Sequence, residues 1–539
     1  MTGSEILARA LREHGVDHVF FLMGGPMIDA ENACQDAGIR MVDVRHEQAA
    51  AMMANAYSRV LCRPGVCMAA SGPGTTNLAT GVAHAFVDCA PVVALGGSSP
   101  VGQYGLGAFQ EMDQLAMMRP ITRWAERVYD PRRIPELVAA AFQHAFAARP
   151  GPVYLDLPGD VLYRDVDPAA VRWTRPRLER QRPLGDPQLV DRALELLERA
   201  ERPVLVAGSG VLWSGAAGEL RAWVERSGIP FWTTPQGRGV IPEDHPLCFL
   251  HARSTAFREA DLVFVLGTRL NYVIDYGRPP RIAEGARLLQ VDIDPDELGR
   301  TRDVDVGIAG DARAVLGQLL DAADGRLDGR YHRWVAYLAE LDEEKRLDAE
   351  RAMGTDQRPV HPLRLCREVR DFLDREAILS VDGQEILNFG RQSIPTHAPG
   401  HRLNSGPFGT MGVGLPFGLG AKVARPDRQV VVLHGDGSLG LNAMELDTAV
   451  RHGIDVITVV SNNGGWTAAD RRKAGRDLGY TRFDLVAQAL GCHGERVERP
   501  EEIRPALERA AASGRPAVVD VVTDSMARAR TAPFATYST

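Results

Sequence analysis

His434-Gly435-Asp436-Gly437-Ser438 stands directly after the apolar run 429–433, and Asn462-Asn463-Gly464-Gly465 stands directly after a second one, 456–461. Short apolar runs closed by glycine read as buried strands of a parallel sheet, which puts both motifs at strand carboxyl ends. In an open α/β sheet those ends form the ligand crevice. Glycines there let backbone N–H groups approach a phosphate that side chains would hold off. Asp436, the amide oxygen of Asn463 and the carbonyl of Gly465 then offer hard oxygens to Mg²⁺, with phosphate oxygens and water completing an octahedron. Either motif alone is an ordinary turn sequence. The pair, with Asp436 and Asn463 27 residues apart, is far more specific.

Outward from this pair the same alternation fills the chain. A helix over about 362–373 and a strand at 377–381 join the two motif strands in a unit placed at 357–524. A middle unit, 190–330, shows strands at 203–207, 262–266 and 288–293, with Gly208-Ser209-Gly210 turning out of the first. A first unit, 1–165, opens with a helix capped by Ser4, apolar at Ile6, Leu7, Ala10 and Leu11, and ended by Gly15 before the strand-like 16–22. Further strands read at 65–70, 91–95 and 153–157. Arg, Pro and Asp crowd residues 166–190, as in a solvated linker, and a second charged stretch, 342–356, precedes the third unit. The expected class is α/β, with three doubly wound parallel-sheet domains, the first and third sharing a plan, and a tail at 525–539.

At 539 residues the chain is too long for one core. Its 62 Lys plus Arg against 70 Asp plus Glu leave a net charge of −8, which argues against nucleic acid as a partner. Seven cysteines without a CxxC pair indicate neither a zinc site nor a disulfide framework, and free thiols suit a reducing cytoplasm. The start lacks a basic stretch followed by an apolar core, and no run of 18 uncharged apolar residues follows, so neither export nor a membrane span is expected.

The paired motifs resemble the signature of thiamine-diphosphate-dependent enzymes, a GDG about 27 residues before NN, whose metal ligands match Asp436, Asn463 and the Gly465 carbonyl. The resemblance implies a pyrimidine-binding, a central and a diphosphate-binding domain. It implies thiamine diphosphate and Mg²⁺ as cofactors, with Gly437 and Ser438 also at the cofactor. Such enzymes remove a weakly acidic C–H proton from the cofactor, using the cofactor's own amino group as base. Glu47, between the strand-like 41–44 and an Ala-rich helix, matches the family's carboxylate that favours the imino tautomer. Met411 matches the wedge that holds the two cofactor rings in a V, and the Gly409 carbonyl matches the acceptor of the amino proton. Gln384 and Glu385 are assigned to the cofactor as well. In this family the carboxylate and the diphosphate motif come from different subunits, so a homodimer at least is implied, with a homotetramer expected.

The resemblance covers nearly the whole chain and is nearest to 2-hydroxyacyl-CoA lyases, through 63–67, 71–74, 96–99, 107–111, Asn388-Phe389-Gly390-Arg391 and 401–406. It implies cleavage of a 2-hydroxyacyl-CoA to formyl-CoA and an aldehyde or ketone, reversible as a condensation. Phe109 and Gln110 match pocket-lining positions, beside the loop Met23-Gly24-Gly25-Pro26-Met27. Arg269, Arg391 and Arg402 are the candidates for the CoA phosphates, and the central domain is a candidate site for ADP or CoA. The tail, with Arg528, Arg530, Phe534 and Tyr537, reads either as a lid over the thioester or as a frayed end. An acetolactate-synthase-like enzyme is the nearest rival, through 107–111, 410–412 and 291–295, and would bring FAD. The segment 267–272 departs from that group's flavin-binding sequence, so FAD is not expected. Oxalyl-CoA decarboxylase is a further rival. A non-catalytic scaffold that keeps the cofactor fold is disfavoured because Glu47, Asp436 and Asn463 are all in place.

Overall fold

Valine, isoleucine and leucine dominate the strands, as befits parallel sheets covered on both faces. The computed structural model describes residues 1–174, 180–466 and 471–529. The first sheet holds β1 (His18–Leu22), β2 (Arg40–Asp43), β3 (Gly65–Ala69), β4 (Val92–Ser98), β5 (Trp124–Arg127) and β6 (Val153–Pro158), in the order β2-β1-β3-β4-β6-β5. The second holds β7 (Pro203–Ala207), β8 (Phe231–Thr233), β9 (Leu262–Leu266), β10 (Arg287–Asp292) and β11 (Val306–Ala309), ordered β11-β10-β9-β7-β8. The third holds β12 (Ile378–Asp382), β13 (Arg402–Asn404), β14 (Val430–Gly435), β15 (Ile457–Asn462), β16 (His493–Val497) and β17 (Ala517–Val522), ordered β13-β12-β14-β15-β17-β16. The first and third sheets share one topology. Strand order reverses between β1 and β3 and again between β12 and β14, and ligand crevices open at such reversals. Among the described residues no helix is long and apolar enough to cross a membrane.

Several local expectations shift by a few residues. Thr2, not Ser4, caps the first helix, Gly3–Glu13. Its hydroxyl accepts the Glu5 N–H at 3.2 Å while Glu5 accepts the Thr2 N–H at 2.9 Å, a reciprocal box that Ser4, turned inward to the Leu162 carbonyl, leaves to its neighbour. The charged stretch 342–356 lies largely in one long helix, His332–Met353, whose Trp334 and Leu338 pack into the middle domain's core. Charge on one face thus hid a helix that belongs to the central unit. The linker is tied down rather than only solvated: Thr174 donates to the Pro135 carbonyl, and the Pro183 carbonyl accepts the Asp311 N–H.

First and third domains share one core. The Ala-rich helix Glu47–Leu61 lies against Gly414–Ala424, so closely that a Cβ on Gly420 would sit 2.3 Å from the Met53 carbonyl. The start of that Ala-rich helix is held by Glu445, whose carboxylate accepts the N–H groups of Arg45 and His46 and the Thr448 hydroxyl. Burial pushes the Glu445 pKa from 4.5 up to about 7, and these hydrogen bonds offset only part of that. Folded chains therefore keep a proton that unfolded chains lose from about pH 4.5 upward. The stability this group contributes is full below that pH and falls as pH rises to about 7, by on the order of 3 kcal/mol. Glu445→Gln is expected to gain melting temperature relative to the unsubstituted chain progressively from pH 5 to pH 8. A pH-independent offset in thermal melts would contradict the assignment.

Candidate active site

Gly435 of β14 pairs in register with Ser461 of β15, so the two glycine motifs leave the sheet side by side. Asn462 is buried and anchors its turn, donating to Asp520 and to the Thr481 carbonyl, both at 2.9 Å, and accepting the Gly464 N–H. Asn463 follows half-buried, its amide oxygen 3.2 Å from the Gly465 nitrogen. Asp436 is 5% exposed. Burial raises its pKa to about 6 against the partial opposition of the Gly437, Gly465 and Gly464 N–H groups. One of its oxygens, Oδ2, is buried with no partner in the protein.

A buried, unpartnered carboxylate oxygen is costly unless something binds it. A hard divalent cation is one such group, and its charge would also reverse the pKa shift. The cradle has no room for side chains. A Cβ on Gly437 would meet the Trp466 ring at 2.8 Å, and one on Gly465 the Arg476 carbonyl at 2.4 Å. The Ser438 hydroxyl lies 2.9 Å from His434 Nδ1 and 3.0 Å from the Gly435 carbonyl, so Ser438 offers a ligand its main chain rather than its side chain. Burial pushes the His434 pKa down to about 3, so this ring is neutral.

A residue the sequence reading passed over ties this motif to the loop 409–414. Asp382 ends β12 at the strand-order reversal, fully buried. Its carboxylate accepts the Gly383 N–H at 2.7 Å and the Gly414 N–H at 3.0 Å. His434 Nδ1 lies 3.7 Å away, and a Cβ on Gly414 would strike the His434 ring at 2.5 Å. Asn442 holds the Gly412 carbonyl at 2.7 Å and accepts from Gln48, the neighbour of Glu47. The loop is thus pinned at its base while Gly409, at φ +71°, is exposed at its tip beside the half-buried Met411. Asp382→Asn cannot accept both N–H groups as a charged acceptor, and such bonds are worth about 1.5–3 kcal/mol. We expect turnover to fall about tenfold or more while thiamine diphosphate affinity changes less. Equal losses in both, read by cofactor titration and steady-state rates, would refute this positioning role.

Glu47 is the first residue of its helix, 8% exposed. Asn77 donates to its Oε2 at 2.9 Å, and its Oε1 lies 3.5 Å from where a Gly74 Cβ would stand. The same wall carries Gln110, at φ +59°, which accepts from Ser71 at 2.7 Å and packs on Gly72. Gly24 meets Ala70, and the Gly25 carbonyl lies 3.4 Å from the Ser71 hydroxyl, so the first sheet's reversal gathers Glu47, Gln110 and the loop 23–27 at one edge. Phe109 instead points outward, 86% exposed.

Other assigned residues make contacts inside the chain. Glu385 accepts the Ala529 N–H at 3.1 Å, tying the start of the tail to the third domain beside Gln384. Arg530, Phe534 and Tyr537 lie outside the described residues. Arg269 donates to the Val87 carbonyl, and Arg402, 3% exposed, donates to the carbonyls of Gly390 and Ile394. Each guanidinium thus has an interior carbonyl as a partner, since a fixed fork of five donors satisfies such carbonyls well. Arg391 remains half-buried.

The chain matches three family models: the N-terminal TPP binding domain of thiamine pyrophosphate enzymes at residues 1–117, their central domain at 190–319, and their C-terminal TPP binding domain at 387–521. A probable acetolactate synthase of Mycobacterium bovis is 37% identical over 97% of this chain and 96% of its own. A 2-hydroxyacyl-CoA lyase of Arabidopsis thaliana is 33% identical over 98% and 96%, and 2-hydroxyacyl-CoA lyase 1 of Homo sapiens is 30% identical over 99% and 96%. With the two glycine motifs side by side, the unpartnered Asp436 oxygen and matches in all three domains, the chain belongs to the thiamine-pyrophosphate-dependent enzymes.

Proposed function

We propose that this chain is a carbon–carbon lyase that uses thiamine diphosphate and Mg²⁺ to split a 2-hydroxyacyl-CoA into formyl-CoA and an aldehyde or ketone, and that joins them in reverse. The observation that carries the cofactor half is the unpartnered Oδ2 of Asp436 at the meeting of the two glycine motifs. Asp436, Asn463 and the Gly465 carbonyl hold the cation, and the Gly437 and Ser438 main chain faces the diphosphate. Bound thiamine diphosphate supplies a nucleophilic carbon and an electron sink. Glu47, steadied by Asn77, sets the proton state of the pyrimidine ring. The Gly409 carbonyl accepts its amino proton, and Met411 shapes the ring contact. Gln110 and Gly24–Gly25 border the substrate.

Exposed Met23, Tyr104, Leu106 and Phe109 cluster on these loops, which supports a homodimer or homotetramer that covers them. All seven cysteines are free, which supports a reducing cytoplasm. The acyl-CoA choice is supported by the lyases matched over nearly the whole chain and by the departure of 267–272 from the flavin-binding pattern. A second reading, acetolactate synthesis, is favoured by the relatives at 37% identity.

Mass spectrometry of products from purified protein with thiamine diphosphate and Mg²⁺ decides between them. Formyl-CoA plus a carbonyl compound from a 2-hydroxyacyl-CoA is the expected result. Acetolactate from pyruvate, or carbon dioxide with formyl-CoA from oxalyl-CoA, would replace the substrate and keep the cofactor.

A further inference from the structure

Three domains meet at one buried carboxylate under the start of the loop 405–411, which carries Gly409 and Met411. Asp88, 2% exposed, ends the helix Pro73–Val87 of the first domain. His84, one turn earlier and fully buried, places its Nε2 3.2 Å from Asp88 Oδ2. Gln236 of the middle domain donates to the same oxygen at 2.6 Å, and its main-chain carbonyl accepts from the buried Arg59 at 2.9 Å. Burial works against the charge of Asp88, yet His84, Arg59 and Gln236 outweigh it and hold its pKa below 3.8. An ionised carboxylate only accepts, so His84 Nε2 carries the proton of this pair.

The third domain closes over this junction. Asp88 Oδ1 has no hydrogen-bond partner, and a Cβ on Gly406 would overlap it, so the Gly406 main chain lies directly against the carboxylate. Gly406, at φ +54°, is held there by Asn404, whose side chain accepts its N–H at 2.9 Å. Phe408 meets the His84 ring edge-on with centroids 6.4 Å apart, and Phe417 meets it at 5.3 Å. From the middle domain, the Tyr272 hydroxyl donates to the Pro407 carbonyl at 3.1 Å. The Gly409 N–H then closes the turn on the Ser405 carbonyl at 2.9 Å. Gly406, Pro407 and Phe408 are thus each contacted from another domain, immediately before the residues assigned to the cofactor.

We propose that His84, Asp88 and Gln236, with Tyr272, form a three-domain clamp that positions the loop 405–411 for the reaction. A buried, hydrogen-bonded charge specifies one arrangement of its neighbours, because every alternative leaves it unpaired in a low dielectric. These are positioning residues, acting through Gly409 and Met411. Their effect on turnover rests on the roles proposed for those two residues; the clamp on the loop does not.

The test combines hydrogen exchange of the loop amides with steady-state rates and near-ultraviolet circular dichroism of the bound cofactor's imino tautomer. All are read on thiamine-diphosphate-loaded protein, for the unsubstituted chain and for Asp88→Asn, His84→Leu, His84→Gln and Tyr272→Phe. Glutamine keeps a donor for Asp88 that leucine lacks, and Tyr272→Phe removes one hydroxyl from a half-exposed ring. In Asp88→Asn and His84→Leu we expect loop exchange to quicken and kcat to fall by about tenfold or more, with KM and cofactor affinity within about threefold. The imino signal weakens in step with kcat, His84→Gln recovers most of the loss, and Tyr272→Phe shows a smaller change of the same kind. Faster loop exchange with kcat and the imino signal unchanged keeps the clamp on the loop and sinks the roles given to Gly409 and Met411. Loop exchange that no variant alters, or that quickens equally in the strands of the first sheet, overturns the clamp. Should Asp88→Asn fail to fold, Tyr272→Phe and the contrast between the two His84 variants decide by the same criteria.

Discussion

Glu47→Gln is expected to cut turnover about 100-fold or more while thiamine diphosphate still binds. Glutamine keeps the shape of the side chain and an oxygen for Asn77 to donate to, so the wall formed with Gly74 and Gln110 stays in place. What is lost is the negative charge that, in the role proposed for Glu47, holds the cofactor ring in its reactive proton state. The cost to folding is small, because an acid in a helix's first turn contributes only about 0.3–1 kcal/mol. Single-turnover rates and a cofactor titration on the same preparation separate the two effects. Unchanged turnover would remove Glu47 from the reaction, and lost cofactor binding would make it a binding residue.

Asp436→Asn is expected to act in opposite directions on cofactor binding and on stability. Without cofactor, the ionised carboxylate is buried with Oδ2 unpartnered, so removing its charge relieves a desolvation cost and raises the melting temperature. With thiamine diphosphate and Mg²⁺, the unsubstituted chain gains stability in proportion to ln(1 + [L]/Kd), whereas the variant, lacking an anionic ligand to the cation, gains little. Cofactor affinity falls about 100-fold or more. Thermal melts with and without cofactor check both signs. An equal cofactor-induced shift in the two proteins would take Asp436 out of the metal site.

Much of this architecture is legible in local pattern. The strands at 203–207 and 262–266 are found where apolar runs between glycine and proline place them, because a strand buried on both faces has to be apolar throughout. The helix His332–Met353 is harder to read, since its charged face dominates the composition and a few apolar positions, Trp334 and Leu338 foremost, reveal what it covers. Asp382 carries a weaker signal still. One aspartate after one strand has no spacing to test, and its meaning comes from Gly414, 32 residues away, and His434, 52 residues away.

Arginine shows the limit most clearly. Arg269, Arg391 and Arg402 look alike in sequence, yet Arg402 donates to carbonyls inside the third domain and Arg269 to a carbonyl of the first domain, while Arg253, its guanidinium over the Phe257 ring, keeps a buried Nε with no hydrogen-bond partner. The sequence by itself determined the three parallel sheets and the family, because strands, glycine turns and the 27-residue spacing are local along the chain. Only the tertiary structure decided which charges remain uncompensated, because burial and pairing depend on groups brought together from distant segments.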